Sequence, residues 1–103
     1  MAVPILTAEQ RQEALRKAMA ARAARKQVLE AITRGEQTIA AVLAQAKTNE
    51  VIARTKVAAL VKSLPGYGQA KVTAVLEQAG IAPSRRAAGL TERQRQALVD
   101  ALN

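Results

Sequence analysis

The sequence predicts an all-α fold in which a long basic N-terminal helix leads into a compact helical domain. Three observations predict it. Apolar residues recur at helical spacing, as in Ile39, Val42, Leu43 and Ala46, and again in Val72, Val75, Leu76 and Ala79. Capping signals divide the chain: Thr7 with Gln10 and Thr91 with Gln94 fit capping boxes, and Gly35 and Gly80 fit helix stops. No run of alternating β-branched residues argues for a strand.

The elements follow in order. After a short apolar lead-in with Pro4, the first helix runs from Thr7 to about Thr33. Val28, Leu29 and Ile32 recur at i, i+1 and i+4 and are expected to dock on a core, whereas Leu15 and Met19 make a weaker pair upstream. Between them, Ala20-Ala21-Arg22-Ala23-Ala24-Arg25-Lys26 offers no large apolar side chain to bury. Residues 1–27 therefore read as a basic helical arm, and residues 28–103 as the folded domain. Thr38 caps a short second helix. Thr48 or Asn49 starts a third, expected to run to Ser63 with Ile52, Lys56, Ala59, Leu60 and Leu64 at helical spacing. Lys56 lies on or beside that stripe, where its stem can snorkel. A fourth helix over about 69–79 ends at Gly80; an irregular piece spans 81–90, and a last helix reaches about Leu102.

Composition narrows the function. Half of the residues are hydrophobic, but 24 are alanine and Tyr67 is the only aromatic, so the core is thin. Sixteen Lys/Arg against eight Asp/Glu give a net charge of +8, which points to a polyanionic partner. Cysteine and histidine are both absent, which removes disulfides, thiolate metal sites and the commonest general base. The lack of cysteine fits a reducing cytoplasm. Asp100 is the sole aspartate, the glutamates are scattered, and no Gly-Lys-Ser/Thr follows the glycines near 66. No enzyme activity, cofactor or metal is expected. No apolar run approaches the roughly 20 residues of a membrane span, and Met1 to Thr7 lack the pattern of a secretory signal.

The most informative stretch is Leu64-Pro65-Gly66-Tyr67-Gly68, which runs straight into a helix with Lys71 in its first turn. Glycines let backbone turn tightly and approach a partner closely. The next helix N-terminus offers free N–H groups and a positive dipole end, which suits phosphate. An ordinary helix–helix corner is the plainer reading. Tyr67 is expected to pack between the helices with its hydroxyl at the rim, with base stacking as the alternative. Ser84-Arg85-Arg86 follows Pro83 in an irregular loop that would push two guanidinium groups outward, to grip phosphates or enter a minor groove; a merely solvated loop is the bland alternative. On the arm, Arg11, Arg22, Arg25 and Lys26 fall within about a 100° arc of the helix. That arc is either a solvated face or a second contact surface.

The order hydrophobic-Pro-Gly-x-Gly-helix resembles the hairpin of helix-hairpin-helix and helix-two-turns-helix DNA binders. The chain as a whole resembles one family, the actinobacterial integration host factors, small nucleoid-associated proteins unrelated in fold to the β-ribbon heterodimers that share the name. The residues that carry the likeness are Pro4-Ile5-Leu6-Thr7 with Glu9-Gln10-Arg11, then Asn49-Glu50-Val51-Ile52 and Lys56-Val57-x-x-Leu60. Ser63-Leu64-Pro65-Gly66-x-Gly68, Gly80-Ile81, Ser84-Arg85-Arg86 and Gly89-Leu90 complete it. The resemblance implies a helix-two-turns-helix domain in the nucleoid that binds duplex DNA with little sequence preference. It also implies bending or compaction, and help to site-specific recombination, with a phage integrase as a partner. By motif match, Gly66, Gly68, Lys71, Arg85 and Arg86 would contact DNA; Lys56, Arg22, Arg25 and Lys26 join them on charge and position. The chain departs from the family where Gln69, Thr73 and Ala88 stand at positions that are often basic, so fewer phosphate contacts and a shallower salt slope are expected.

Two separated basic clusters, at 11–34 and 85–95, suggest that a monomer could hold two duplexes. Two other readings stay open. One is an RNA binder of ribosomal type that uses the same turn. The other is a protein-interaction or membrane-surface module, although its arm lacks a bulky apolar face.

Overall fold

A computed structural model describes residues 7–102. The opening Pro4-Ile5-Leu6 of the family likeness lies outside these residues. Six α-helices and one short 3-10 turn follow one another: α1 (Ala8–Thr33), α2 (Ile39–Gln45), α3 (Glu50–Arg54), α4 (Val57–Lys62), α5 (Gln69–Ala79), the 3-10 turn (Ala87–Gly89) and α6 (Glu92–Leu102). No β-sheet forms among the described residues; one isolated antiparallel bridge joins Lys56 to Arg86.

The caps form where the sequence placed them. The Thr7 hydroxyl accepts from the Gln10 amide and the Gln10 side chain accepts from the Thr7 amide, both at 3.0 Å. Thr91 and Gln94 make the same reciprocal pair at 3.1 Å ahead of α6. Thr38 caps α2 through the Ala41 amide, and Asn49 caps α3 through Val51 and Ile52. Each such cap stabilises its helix by about 1 kcal/mol. Gly35 (φ 78°) and Gly80 (φ 71°) end α1 and α5 in the left-handed conformation.

One expected element is different. Helix 48–63 is not continuous, because the chain leaves helical geometry at Thr55 (ψ 135°) and Lys56 (ψ 137°). The break is held from afar. The Ala87 amide donates to the Thr55 carbonyl and the Val57 amide donates to the Arg85 carbonyl, each at 3.0 Å. The Thr55 hydroxyl turns back onto the Val51 carbonyl at 2.7 Å. These bonds take up the Thr55 carbonyl and the Val57 amide at the break in place of helical bonds. Lys56 consequently stands at the N-cap position of α4, exposed and extended and with no side-chain cap bond, instead of riding an apolar stripe.

All six helices send fully buried side chains into the core, among them Ile32, Val42, Ile52, Leu60, Leu76 and Leu98. Burying each contributes about 1.5–3 kcal/mol. Val28 and Leu29 pack at its margin. Upstream, the first part of α1 is solvent-covered, with Leu15 and Met19 58% and 57% exposed. At about 1.5 Å per residue, α1 is long enough to set most of the 50 Å long dimension of the molecule. Its end is fixed by Thr33, whose hydroxyl donates to the Ser63 carbonyl at 2.6 Å. Ser63 is the C-cap of α4, just before the Pro-Gly turn, so the C-terminal end of α1 is tied to the turn.

Candidate nucleic-acid interface

Of the two turn glycines, Gly66 has φ 82°, a conformation that disfavours any side chain. Gly68 has an ordinary extended backbone (φ −87°, ψ 177°), and a Cβ built on it meets nothing within 4 Å. Nothing inside the described chain therefore demands glycine at 68. Gly68 is the N-cap of α5, and no side chain caps that helix. The helices preceded by Thr7, Thr38, Asn49 and Thr91 are capped by those side chains. The Tyr67 amide donates to Leu64, but the amides of Gly68, Gln69, Ala70 and Lys71 find no acceptor among the described residues. Four N–H groups and a dipole end thus open to solvent at a place with no Cβ in the way.

Lys71 stands beside them, its Nζ 4.4 Å from the centre of the Tyr67 ring. Tyr67 is half-buried against the core, so the ring is a platform for the lysine. Thr73 turns its hydroxyl inward to the Gln69 carbonyl at 2.9 Å, which leaves Lys71 as the cation of this helix start.

The second group sits at the other end of the same helix pair. The Lys56–Arg86 bridge places Lys56, Arg85 and Arg86 together, all exposed. The bridge is at the start of α4 and the glycine turn at its end. The length of α4, roughly 9 Å, lies between the glycine turn and Lys56. Neither Arg85 nor Arg86 has a carboxylate partner among the described residues.

The arm residues divide. Lys17, Ala21 and Arg25, one helical turn apart, face α3 and line a groove of about 550 Å³ with Glu50, Val51, Arg54 and Thr55. Thr55 is the residue whose carbonyl holds Ala87, so this groove runs up to the arginine loop. Arg22 and Lys26 each follow a groove residue by one position, about 100° round the helix, and look away from it. Lys26 is 4.0 Å from Glu30, an exposed contact of little energetic weight. Sequence reasoning passed over Lys17 and Arg54. The i, i+4, i+8 spacing of 17, 21 and 25 was a usable signal for Lys17, whereas nothing local placed Arg54 opposite it.

The comparisons with known proteins agree with this architecture. Residues 32–102 match the family model described as S13-like H2TH domain, which makes the chain a helix-two-turns-helix protein. It is 45% identical over 100 residues to the integration host factor of Mycolicibacterium smegmatis, covering 97% of this chain and 95% of that protein. It is 43% identical over 94 residues to that of Streptomyces coelicolor, covering 91% and 88%. The solved structure of sIHF bound to an 8-bp palindromic DNA matches with a TM-score of 0.82 at 35% identity, over 85% of this chain and 99% of that one. The chain belongs to the integration host factor family of mycobacteria and Streptomyces.

Proposed function

We propose that this chain is a nucleoid-associated protein that binds duplex DNA with little sequence preference and bends, bridges or compacts it. It acts as an architectural factor, not an enzyme, and assists site-specific recombination, with a phage integrase as the recombination partner. The observation that carries the reading is the open start of α5, where four amides beside Lys71 have no internal acceptor. A solved relative of 35% identity is described as bound to DNA, which supports the same reading.

The amides of Gly66 and of Gly68 to Lys71, with the Lys71 ammonium, take phosphates of one strand. Lys56, Arg85 and Arg86 take the backbone across a groove, or enter the minor groove. Lys17, Arg25 and Arg54 extend that track along the arm. Arg22 and Lys26, on the face of α1 turned away from the groove, offer a second duplex its contact, so one monomer can bridge without dimerising. Backbone and phosphate contacts carry no sequence information, which accounts for weak sequence preference.

Competition at matched salt tests this. Random duplex DNA should displace a labelled duplex more effectively than an A-form RNA duplex of equal length. Binding should also weaken as salt rises, by about 0.9 in log–log slope per phosphate contact. Tighter RNA binding would move the chain to the RNA-binding alternative. Salt-independent or absent DNA binding would favour a protein-interaction module.

A further inference from the structure

Gly89 closes the 3-10 turn Ala87–Gly89. Its φ is not positive, so backbone conformation does not require glycine. Space does. A Cβ on Gly89 would lie 2.9 Å from Cδ of Arg85, 3.6 Å from its Nη1 and 3.8 Å from its Cγ. Contacts under 3.0 Å are not tolerated, so one side must move. The Gly89 amide is held by the Arg86 carbonyl at 2.9 Å, and the Arg85 amide and carbonyl are both bonded, to Ala82 and Val57. The backbones on either side are fixed, and the part free to move is the arginine side chain. Arg85 therefore lies folded across the bare Cα of Gly89.

We infer that Gly89 is a positioning residue: it provides the seat on which the Arg85 side chain is laid out, and so aims that guanidinium at a DNA phosphate. An unseated arginine would sample many rotamers and lose them again on binding, at a cost that a pre-positioned one avoids. The inference rests on the reading of Arg85 as a DNA contact. It adds a role for a residue that touches no DNA itself.

A four-protein cycle tests it: parent, Arg85→Ala, Gly89→Ala and the double variant. Affinity for a random duplex is read by fluorescence anisotropy at moderate salt, and folding by thermal melting. Arg85→Ala should weaken binding roughly three- to tenfold, as for one lost phosphate contact. Gly89→Ala should melt no lower than the parent, since alanine suits this backbone, yet lose most of the same factor. In the Arg85→Ala background, Gly89→Ala should change nothing. Parent-like binding by Gly89→Ala beside a weakened Arg85→Ala would overturn the positioning role and leave the DNA-binding reading intact. Losses that simply multiply would overturn it too. An Arg85→Ala protein that binds like the parent would remove Arg85 from the interface, and the seat's function with it. Should Gly89→Ala fail to fold, Arg85 Nε–H relaxation in the free parent decides. Arg85 should be markedly more ordered than Arg22 on the arm; equal disorder would contradict the seat.

Discussion

The Lys71 ammonium rests 4.4 Å from the centre of the Tyr67 ring, next to four amides that have no internal acceptor. Tyr67 is half-buried and anchored on the core, so it fixes where Lys71 stands. With glutamine at 69 and an inward-turned Thr73, Lys71 is the one basic residue of α5. An exposed cation–π contact lowers free energy by about 0.5–1 kcal/mol. Tyr67→Leu, which keeps an apolar anchor without the ring face, should weaken duplex binding about two- to fivefold. Tyr67→Phe retains the face and should bind within about twofold of the parent. Anisotropy titrations distinguish these; a leucine variant that binds like the phenylalanine one would show that the ring does not position Lys71.

The two turn glycines should separate under mutation. Gly66→Ala forces a side chain into a left-handed conformation and should cost roughly 1–2 kcal/mol of stability. Gly68→Ser suits its extended N-cap geometry and should raise stability by a few tenths of a kcal/mol. Its hydroxyl would take a free amide and its Cβ would fill the approach, so DNA binding should fall several-fold while the melting temperature holds. Serine at 68 with undiminished affinity would mean that this helix start does not meet DNA.

The bridge between 55–57 and 85–87 can be loosened at one bond. Ala87→Pro removes the amide that donates to the Thr55 carbonyl. Arg86 already has the extended backbone that precedes proline comfortably (φ −92°, ψ 159°). The buried Thr55 carbonyl is left unpaired, so stability should drop by about 1–3 kcal/mol in chemical denaturation. Affinity for DNA should fall beyond what that loss explains, because Lys56 and Arg86 lose their register. Destabilisation with full affinity in the folded protein would make the bridge purely structural.

Arg85 and Arg86 together should carry much of the grip. Arg85→Ala with Arg86→Ala should weaken duplex binding by about an order of magnitude at moderate salt and lower the salt slope by about 1.8. A gel-shift titration of the folded double variant at several salt concentrations measures both. An unchanged slope would mean that neither arginine meets a phosphate.

Much of this was legible locally. The caps at Thr7, Thr38, Asn49 and Thr91 and the stops at Gly35 and Gly80 are short-range chemistry, and the core followed from helical spacing. The Leu64–Gly68 turn could be read as a corner in the same way. The break at Thr55–Lys56 could not, because it depends on residues 85–87, some thirty positions away. Without that pairing, Lys56 looked like a snorkelling helix residue, and its closeness to Arg86 was hidden. The wheel put Arg25 with Arg22 and Lys26, but it could not show that α3 stands beside Arg25 and brings Arg54 to the same groove. The glycine at 89 shows no signal in the sequence, because what it meets is the side-chain path of Arg85, four residues upstream.

A titration of the isotope-labelled chain with a short random duplex, followed by amide NMR, addresses the interface as a whole. The amides of Gly68, Gln69, Ala70 and Lys71 should shift most, together with those of Lys56, Arg85 and Arg86, and all should recover as salt is raised. Shifts confined to other surfaces, with the start of α5 and the arginine loop unmoved, would contradict the interface proposed for this chain.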